Sequence, residues 1–467
     1  MDSSSNLHNQ FHSCFNDWID QQNHDLHELV AADISDGAQT KRLVEKGVQH
    51  FEEYCGKRAV MAQHDAISLM SPAWCTSLEN AALWVGGCRP SLSIRLVYSV
   101  CGSELDEQLE EFLRGVRKGN LAEISGQQLH MINALHCRIV KEEDKISARI
   151  ATLQEEIADK PLAVIAKGAE RVGEWSRDVE RAANAHSLSL AGILVEADRL
   201  RLSTFKELMA ILTPSQALDL LIATKKLHIS MHEVKKTNKM VGFQCYYDTW
   251  FSQLRQLVQQ LSQSPNPPTT DEHHHQLRQL INKAMSHYAD YYAAKSVSAK
   301  HDVLEFFSPP WTTALERSLH WIGGWRPTTA FHLVYTESSI LFESHVIDIL
   351  RGFHTGDLGD LSPAQFARVS ELQIQTVHEE NDITDDLSDW QDEASDLAAA
   401  IYGDVGRKME KLVGILERAD QLRLRTMKSL VELLTLQQGA EFLVAAAELQ
   451  FGIHGWGLQQ DRHRGNN

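Results

Sequence analysis

The chain has 467 residues, of which 43% are hydrophobic, and it carries a formal net charge of -18. This length exceeds what one ordinary hydrophobic core accommodates, and the composition is that of a globular protein, so two folded domains are expected. The negative charge opposes attraction to phosphate backbones and therefore argues against autonomous binding to nucleic acid.

The first predicted element is an amphipathic helix. Its large hydrophobic residues lie on one stripe of a 3.6-residue period, as expected for a helix with one buried face. These residues are Phe11, Phe15, Trp18 and Ile19. A matching stripe in the second half of the chain consists of Phe243, Tyr247, Trp250 and Phe251. We therefore predict two domains that open with the same kind of helix.

A tandem duplication extends through most of the chain. Residues 64–98 align without gaps on residues 301–335, and about half of the aligned positions are identical. The downstream blocks that also match begin at Leu121 and Leu358, and at Glu196 and Arg418. Because a long internal repeat decides the fold of the whole chain, we predict two copies of one domain, at 1–235 and 243–460.

Helix-start signals recur in both copies. Ser71-Pro72 and Ser308-Pro309 each place a side-chain acceptor at the N-cap and a proline at the first helical position, which predicts a helix start at both sites. Four further pairs have capping-box spacing, in which two backbone amides are satisfied reciprocally. These pairs are Ser125 with Gln128, Thr213 with Gln216, Ser362 with Gln365, and Thr435 with Gln438.

Each copy also contains a glycine pair after a tryptophan. The pairs are Gly86-Gly87 and Gly323-Gly324. Glycine accepts the left-handed conformation that helix ends favour, so the tryptophan-containing helices are predicted to end at these pairs. Pro90 and Pro327 are predicted to begin the next helices.

No segment has the alternating polarity of a β-strand. The fold class is therefore predicted to be all-α, with two tandem multi-helix bundles packed as a pseudo-dimer. A short segment at 233–242 separates the copies, and 262–272 is expected to be a loop inside the second copy. Residues 379–396 are strongly acidic, and we interpret them as a mobile or partner-facing loop.

The order of the repeated motifs resembles that of the plant DOG domain, which is named for the delay-of-germination regulators. The central motif reads W-x-x-x-L-E-x-x-x-x-W-x-G-G-x-R-P, and it is followed by A-D-x-L-R-x-x-T and L-T-x-x-Q. The matching residues of the first copy are Trp74, Trp84, Gly86, Gly87, Arg89, Asp198, Arg201 and Thr213. Those of the second copy are Trp311, Trp321, Gly323, Gly324, Arg326, Asp420, Arg423 and Thr435.

This resemblance implies a plant regulatory protein. The domain also forms the C-terminal part of TGA-type bZIP transcription factors, but neither a basic region nor leucine heptads precede the first copy here. Sequence-specific DNA binding would therefore rest on fold analogy alone. By resemblance, the expected partners are transcription regulators or protein phosphatases of abscisic-acid signalling, in seed, stress or defence control.

Catalytic residues are not expected. The repeated tryptophans are able to stack on a ligand, but aromatic residues at helical spacing are more often core residues. His64-Asp65 and His301-Asp302 recur as pairs, yet adjacent helical residues do not face each other, and no nucleophile recurs nearby. Asp198 with Arg199 and Arg201, and Asp420 with Arg423 and Arg425, are expected to form helix-surface or interdomain ion pairs.

Three histidines suggest a ligand site as an alternative to partner binding. His228 and His232 are spaced i, i+4 on one helix face, as ligands of haem iron would be. His232 recurs as His454, whereas Gln450 replaces His228 in the second copy. A sensor that holds haem or a fatty acyl chain inside a helical bundle is the alternative hypothesis, beside the simpler interpretation of hydrogen-bonded structural histidines.

The seven cysteines are an odd number without CxxC spacing, so neither a disulfide framework nor a zinc site is expected. The chain shows no secretion signal and no apolar run near the roughly 20 residues that cross a bilayer. These features predict a soluble protein of the nucleus or cytoplasm without membrane binding. We expect it to be non-enzymatic and to bind protein partners, and self-association is left open.

Overall fold

The computed structural model describes residues 3–33, 36–113, 120–159, 162–168, 176–233, 241–265, 267–351, 353–393 and 405–464. Helices dominate these residues, and one bridge between Trp84 and Gly87 is the sole β-type pairing among them. The all-α prediction is confirmed. No helix in the described part of the chain is both long and apolar enough to cross a membrane.

Among the described residues, eight helices come from the first sequence copy and seven from the second. The first set is α1 (Ser3–Val30), α2 (Gly37–Met70), α3 (Ser77–Ala82), α4 (Pro90–Leu113), α5 (Gly126–Glu155), α6 (Leu162–Gly168), α7 (Arg177–Ile211) and α8 (Pro214–Glu233). The second set is α9 (Val241–Ser262), α10 (Asp271–Ala299), α11 (Ala314–Ser318), α12 (Thr329–Leu350), α13 (Pro363–Asp392), α14 (Val405–Leu433) and α15 (Leu436–Arg464).

The helices form two compact units that do not coincide with the two copies. Unit 1 consists of Met1–Ile150, Ser187–Lys236 and Ser388–Lys408. Unit 2 consists of Ala151–His186, Thr237–Leu387 and Met409–Asn467. Ala151 and Ser388 are equivalent positions of the repeat. Each unit therefore contains a segment of the other copy, and the two exchanged segments begin at equivalent residues. The sequence boundaries 1–235 and 243–460 thus mark the copies, and residues 234–240 of the separating segment 233–242 lie outside the described residues.

The segment taken from the second copy is held by hydrogen bonds inside unit 1. The Gln391 side chain donates to the backbone carbonyls of Ala81 (3.4 Å) and Leu83 (3.0 Å). The Ser91 hydroxyl, at the start of α4, donates to the Asp392 carboxylate (3.2 Å). Gln391, Asp392 and Ser91 are buried, so the exchanged helix end is part of the packed interior of unit 1.

Unit 2 holds the equivalent end of α5 in the same way. The Gln154 side chain donates to the backbone carbonyl of His320 (2.9 Å), and the Thr328 hydroxyl donates to the Glu155 carboxylate (2.6 Å). Gln154 and Glu155 occupy the repeat positions of the glutamine and aspartate that complete unit 1. The exchange is therefore reciprocal.

Cleavage of the chain between the copies tests this exchange. We expect a protease site inserted into segment 234–240 to give two fragments that co-elute in native size-exclusion chromatography, because each unit needs residues of both fragments. A denaturing gel confirms that cleavage is complete. Elution of two separate, folded fragments would show that the exchanged segments contribute little to stability.

The core of unit 1 lies among α2, α4, α5, α7 and α8. Its fully buried aliphatic residues come from segments far apart in sequence, which ties these helices into one hydrophobic core. Its most buried members include Ile94, Val97, Leu121, Ile132, Ile139, Leu208 and Leu220. In unit 2, rings of α9 pack on the residues that precede α11, and Phe243 lies 5.0 Å from Trp311 between ring centroids.

The four predicted capping boxes are confirmed. In α8, for example, the Thr213 backbone N–H donates to the Gln216 side chain (3.0 Å), and the Gln216 backbone N–H donates to the Thr213 hydroxyl (3.4 Å). The Gln128 side chain also donates to the Gln216 side chain (2.8 Å), so the capping residues of α5 and α8 are joined. Gln365 and Gln438 make the same 2.8 Å contact in unit 2.

The predicted helix starts at Ser71 and Ser308 are wrong. Ser71 ends α2, and the next helix begins instead at Thr76, whose hydroxyl accepts from the backbone N–H of Glu79 (3.1 Å). The Glu79 carboxylate in turn accepts from the backbone N–H of Thr76 (2.6 Å). This complete capping box, which recurs in α11, satisfies two backbone amides and outweighs the Ser-Pro signal.

The acidic segment 379–396 is also not a loop where the structure describes it. Its residues continue α13 as far as Asp392, and residues 394–396 lie outside the described part. Glu379 and Asp386 form ion pairs with Arg425 and Arg418 of α14. These pairs offset the repulsion between neighbouring carboxylates that made a helix unexpected.

Candidate functional site

Trp84 opens a tight turn in unit 1 instead of lying inside a helix. Its backbone N–H donates to the carbonyl of Gly87 (2.7 Å), and the N–H of Gly87 donates back (3.2 Å). Between them, Val85 and Gly86 have φ angles of +48° and +66°. Two successive left-handed residues cannot continue an α-helix, so the prediction that this helix runs to the glycines is wrong.

The turn of unit 2 is nearly identical. The backbone N–H of Trp321 donates to the carbonyl of Gly324 (2.7 Å), and Ile322 and Gly323 have φ angles of +47° and +68°. A Cβ atom on Gly323 would lie 2.7 Å from the backbone oxygen of Phe306, so the glycine is required sterically as well as conformationally.

A buried arginine holds each turn. In unit 1, Arg201 donates through Nε to the carbonyl of Cys88 (2.6 Å) and through Nη2 to that of Val85 (3.0 Å). Arg423 makes the same contacts in unit 2, including 2.7 Å from Nε to the carbonyl of Trp325. Arg201 lies on α7 and Arg423 on α14, so the guanidinium groups connect these helices to the turns.

One aspartate lies between two cations in each unit. Asp198 accepts from Arg58 Nε (2.8 Å) and Arg201 Nη1 (2.6 Å). Asp420 accepts from Lys295 Nζ (2.9 Å) and from the arginine of its turn. All of these side chains are buried, so the ion pairs expected on helix surfaces are instead internal networks. Breaking such a network is far more costly than breaking a surface pair.

Burial and the neighbouring opposite charges shift the pKa values of these groups in opposite directions. Burial raises the pKa of Asp198, but Arg58 and Arg201 outweigh it and leave that pKa lowered, so the carboxylate is ionised. Burial lowers the pKa of Lys295 to about 8, and Asp420 only partly offsets this effect. Both networks therefore serve packing and charge balance in the interior.

The motif tryptophans pack in the same place. Arg201 lies over the Trp84 ring at 5.3 Å from the centroid, and Arg423 lies over Trp321 at the same distance. The indole N–H of Trp84 donates to the Ser147 hydroxyl (2.9 Å). Because the indoles are buried and hydrogen-bonded, their geometry supports the core interpretation. Trp74 and Trp311 each pack against an aromatic ring of the first helix of their copy.

Arg89 and Arg326 each contact an exchanged helix end: Arg89 donates to the Ser388 hydroxyl, and Arg326 Nε lies 3.7 Å from the Glu155 carboxylate. Each arginine also pairs with a carboxylate of its own copy, Arg89 with Glu143 (3.1 Å) and Arg326 with Glu380 (3.0 Å). Arg95 in unit 1 also pairs with Asp392 (2.7 Å). Each exchanged carboxylate thus enters a buried cluster that contains another carboxylate.

The pKa values of the two exchanged carboxylates, Asp392 and Glu155, are shifted in opposite directions. Burial raises the pKa of Asp392 to about 6, and Arg95 only partly offsets it. Burial also acts to raise the pKa of Glu155, but hydrogen bonds from His332 and Thr328 outweigh it and leave that pKa lowered.

We expect Asp392→Asn and Glu155→Gln to shift stability with opposite pH dependence. The stability that protonated Asp392 contributes is lost as pH rises through about 6, so the Asn variant should exceed the parent by up to about 3 kcal/mol near pH 7 and match it near pH 4. Glu155 stabilises when ionised, so the Gln variant should be destabilised near pH 7 and recover relative to the parent in acid. Urea unfolding across this range measures both, and parallel pH profiles would contradict the assignment.

His232 and His454 recur because they contact a capping box. His232 Nδ1 lies 3.1 Å from the Glu79 carboxylate, and His454 Nδ1 lies 3.1 Å from that of Glu316. His232 also contacts the Phe15 ring. The recurrence is therefore explained by contacts within each unit.

His228 lies apart from this contact, at a cavity. Burial lowers the pKa of His228 to about 4, so the ring is neutral, and its Nε2 lies 3.9 Å from Cys88 Sγ. The cavity has a volume of about 160 Å³, and the equivalent one in unit 2 about 180 Å³. Sites for drug-sized ligands measure roughly 300–1,000 Å³, so neither cavity accommodates haem or a long acyl chain as it stands.

The aspartates of the two repeated His-Asp pairs accept hydrogen bonds from backbone amides. Asp65 and Asp302 accept from the backbone N–H groups of Ser68 (3.2 Å) and Leu304 (3.1 Å), so both act as turn caps beside exposed histidines. Within the described ranges, no group of three or more His, Cys, Asp or Glu side chains could hold a metal ion.

Sequence reasoning missed the second cation of each network. Arg58 and Lys295 occupy the same repeat position on α2 and α10, and this retained positive charge was the available signal. Glu143 and Glu380 were missed in the same way, although glutamate recurs at that position of an otherwise amphipathic helix. Thr76-x-x-Glu79 was a readable capping box inside the tryptophan motif.

An exposed apolar stripe occurs at equivalent positions of both copies. On α13, Phe366, Ile374 and Val377 are 49%, 61% and 37% exposed. These side chains share one helix face because their spacing is i, i+8, i+11. The equivalent positions on α5 are Leu129, Cys137 and Val140, which are also exposed. We call these the α13 stripe and the α5 stripe.

Comparison with known proteins gives this architecture a family. The sequence profile of the DOG1 family, described as seed dormancy control, matches residues 22–99 and 253–336. Those matches contain the first tryptophan motif and turn of each copy.

Similar full-length proteins come from plants. The chain is 36% identical to Protein DOG1-like 1 of Arabidopsis thaliana over 259 residues, which are 50% of this chain and 92% of that protein. It is 35% identical to Protein DOG1-like 3 of the same species, over 50% of this chain and 86% of that protein. Transcription factor TGA7 of that species is 25% identical over 45% of this chain and 54% of its own length. With two profile matches and relatives that align over most of their own length, the chain belongs to the DOG1 family of plant regulatory proteins.

Proposed function

We propose that this protein regulates by binding other proteins through the α5 and α13 stripes, and that it is not an enzyme. The stripes carry the proposal because apolar residues are retained at the same three exposed positions of both copies. The motif residues of each turn, in contrast, are engaged in internal contacts and leave no reactive group directed at a substrate.

The stripes are energetically adequate for this role. Full burial of one large apolar side chain contributes about 1.5–3 kcal/mol, so three such residues supply an anchor for a partner helix. Because Phe366 and Ile374 are 49% and 61% exposed, about half of this gain is still available in the isolated chain.

The proposed partners are transcription regulators or protein phosphatases in seed, stress or defence signalling. Relatives named as transcription factors support a role in transcriptional control. The net charge of -18 favours a role exerted through such partners over direct contact with DNA. Nuclear or cytoplasmic residence follows from this proposal.

Affinity purification with matched variants tests the proposal. Full-length protein, a Leu129→Asp/Phe366→Asp variant, and a Val297→Asp control are expressed in plant cells and recovered with their partners. Val297 is a suitable control because it is 61% exposed on α10 and outside both stripes. We expect a defined partner set to be retained by the control and lost by the double variant. Identical partner sets for all three proteins would overturn the proposal.

A further inference from the structure

A buried polar cluster borders the cavity of unit 1. Lys225 of α8 donates through Nζ to the Asp25 carboxylate (2.8 Å) and to the side-chain oxygen of Gln22 (3.1 Å), and both acceptors lie on α1. His50 Nδ1 of α2 lies 2.9 Å from the same carboxylate. Gln22, Asp25 and Lys225 are 2%, 3% and 2% exposed. An amide, a carboxylate and a cation are therefore held together in the interior of unit 1.

The second copy builds the equivalent helices without this cluster. At the repeat positions of the amide, the carboxylate and the cation it has Leu254, Leu257 and Ala447, and all three are buried. Replacement of a buried ion pair by well-packed apolar residues is often neutral or stabilising, because the desolvation cost disappears. Since apolar residues are sufficient for folding in unit 2, folding alone does not explain the polar cluster of unit 1.

The cluster presents a hydrogen-bond donor at the cavity. Lysine donates but does not accept, so its contact with Gln22 fixes the amide oxygen toward Lys225 and leaves the Gln22 NH₂ group to bind elsewhere. Gln22 and Lys225 both line the cavity, and Gln22 Nε2 has no hydrogen-bond partner among the described residues. His228 Nδ1, at the same cavity, also lacks a partner in the described part of the chain. A buried donor of this kind is stabilised by a ligand that supplies an acceptor.

Aromatic rings form much of the remaining wall. Trp18 and Tyr54 are stacked with ring centroids 4.3 Å apart and an interplanar angle of 5°, and Phe15, Phe51 and Trp74 also line the cavity. Its volume of about 160 Å³ is close to the roughly 150 Å³ of an apolar protein cavity that binds benzene. The cavity therefore matches a molecule of about one ring.

The charges of the wall favour an uncharged molecule. Every arginine and lysine in the described lining is paired with a carboxylate, so an anion would compete with a carboxylate already in place, whereas a neutral carbonyl oxygen needs only an N–H donor. The pairs are Arg58 and Arg201 with Asp198, Lys225 with Asp25, and Arg89 with Glu143.

We propose that the cavity of unit 1 binds a small uncharged ring compound that bears a carbonyl group. The ring packs against Trp18 and Tyr54, and the carbonyl oxygen accepts from Gln22 Nε2. One molecule binds per chain, because Leu254 replaces the donor in unit 2. The described lining contains no residue of the α5 or α13 stripe, so this ligand site is separate from the surfaces proposed to bind proteins.

Three single-ring probes test the ligand chemistry on the full-length chain. Benzamide carries a neutral carbonyl, toluene has no acceptor, and benzoate is an anion of similar size. In saturation-transfer NMR titrations we expect benzamide to bind about tenfold more tightly than toluene, because only benzamide accepts the Gln22 hydrogen bond. Benzoate should also bind more weakly than benzamide.

Two variants separate a ligand site from a structural cluster. Gln22→Leu keeps the Lys225–Asp25 pair and should weaken benzamide about tenfold while leaving toluene unchanged. Gln22→Leu/Asp25→Leu/Lys225→Ala installs the residues of the second copy, and it should remain folded by circular dichroism and lose the preference for benzamide. Gln49→Leu, the same substitution at an exposed site on α2, should bind benzamide as the parent does.

Absence of benzamide binding, or equal binding by the parent and Gln22→Leu, would overturn the inference. A triple variant that unfolds while Gln22→Leu binds benzamide like the parent would assign the cluster to folding instead. The proposed protein-binding function is judged separately, by the stripe variants. Loss of cellular partners in those variants without benzamide binding to the parent would refute the ligand site alone, and benzamide binding with all partners retained would refute the stripes alone.

Discussion

Replacement of Arg423 by methionine is expected to lower the free energy of unfolding by about 3–5 kcal/mol. Arg423 is fully buried and donates to Asp420 and to the carbonyls of Trp325 and Ile322. Methionine fills a similar volume but donates no hydrogen bond. The variant would leave the turn carbonyls unpaired in the interior and Asp420 with Lys295 as its remaining cation.

The matched control is Arg425→Met on the same helix. Arg425 is exposed and pairs with an equally exposed Glu379, so its loss should cost less than about 1 kcal/mol. Urea unfolding followed by circular dichroism measures both variants under one set of conditions. Similar destabilisation by the two substitutions would mean that the buried network contributes little, and that the turn is held by other contacts.

Replacement of Gly323 by alanine is expected to destabilise the protein by about 2–4 kcal/mol. The residue has a φ of +68°, and the left-handed conformation costs an L-residue about 1–2 kcal/mol. The new Cβ would also lie 2.7 Å from the Phe306 backbone oxygen and 2.8 Å from Leu416 Cδ1. The side chain of Leu416 can shift, but the carbonyl belongs to a packed 3-10 turn and cannot do so without cost.

Gly414→Ala is expected to stabilise the protein instead of destabilising it. Gly414 lies inside α14, and a Cβ atom there meets no other atom within 4 Å. Alanine should therefore stabilise the helix by about 0.5–1 kcal/mol through its better helix propensity. Thermal unfolding of both variants provides the comparison, and a Gly323→Ala protein as stable as the parent would rule out the strained turn.

These expected effects bear on where function resides. The residues that define the family motif form the turn, its arginine and the buried aspartate, and their substitution acts first on folding. A motif variant that loses a partner is therefore not by itself informative, whereas Phe366→Asp and Leu129→Asp alter exposed positions. Functional tests should accordingly start from the stripes and use motif variants only with a stability measurement.

Local patterns in the sequence were sufficient for the helical class, the duplication and the four Ser/Thr–Gln capping boxes. Helix periodicity and capping depend on residues within one or two turns of each other, so they are readable without knowledge of the neighbours in space. The repeat strengthened these predictions, because each signal occurred twice. The same locality explains the errors, since Ser71-Pro72 and Gly86-Gly87 each satisfy a helix rule that a competing nearby contact overrides.

Three features were decided by packing between distant segments. Asp198 and Arg201 look like a surface i, i+3 pair, and only the approach of Arg58 and the turn carbonyls makes them internal. The acidic α13 is a helix because Arg418 and Arg425 of α14 lie beside it. The exchange that begins at Ala151 and Ser388 has no local signature, because the two copies offer equivalent sites and a helix end carries the same pattern whichever unit it completes.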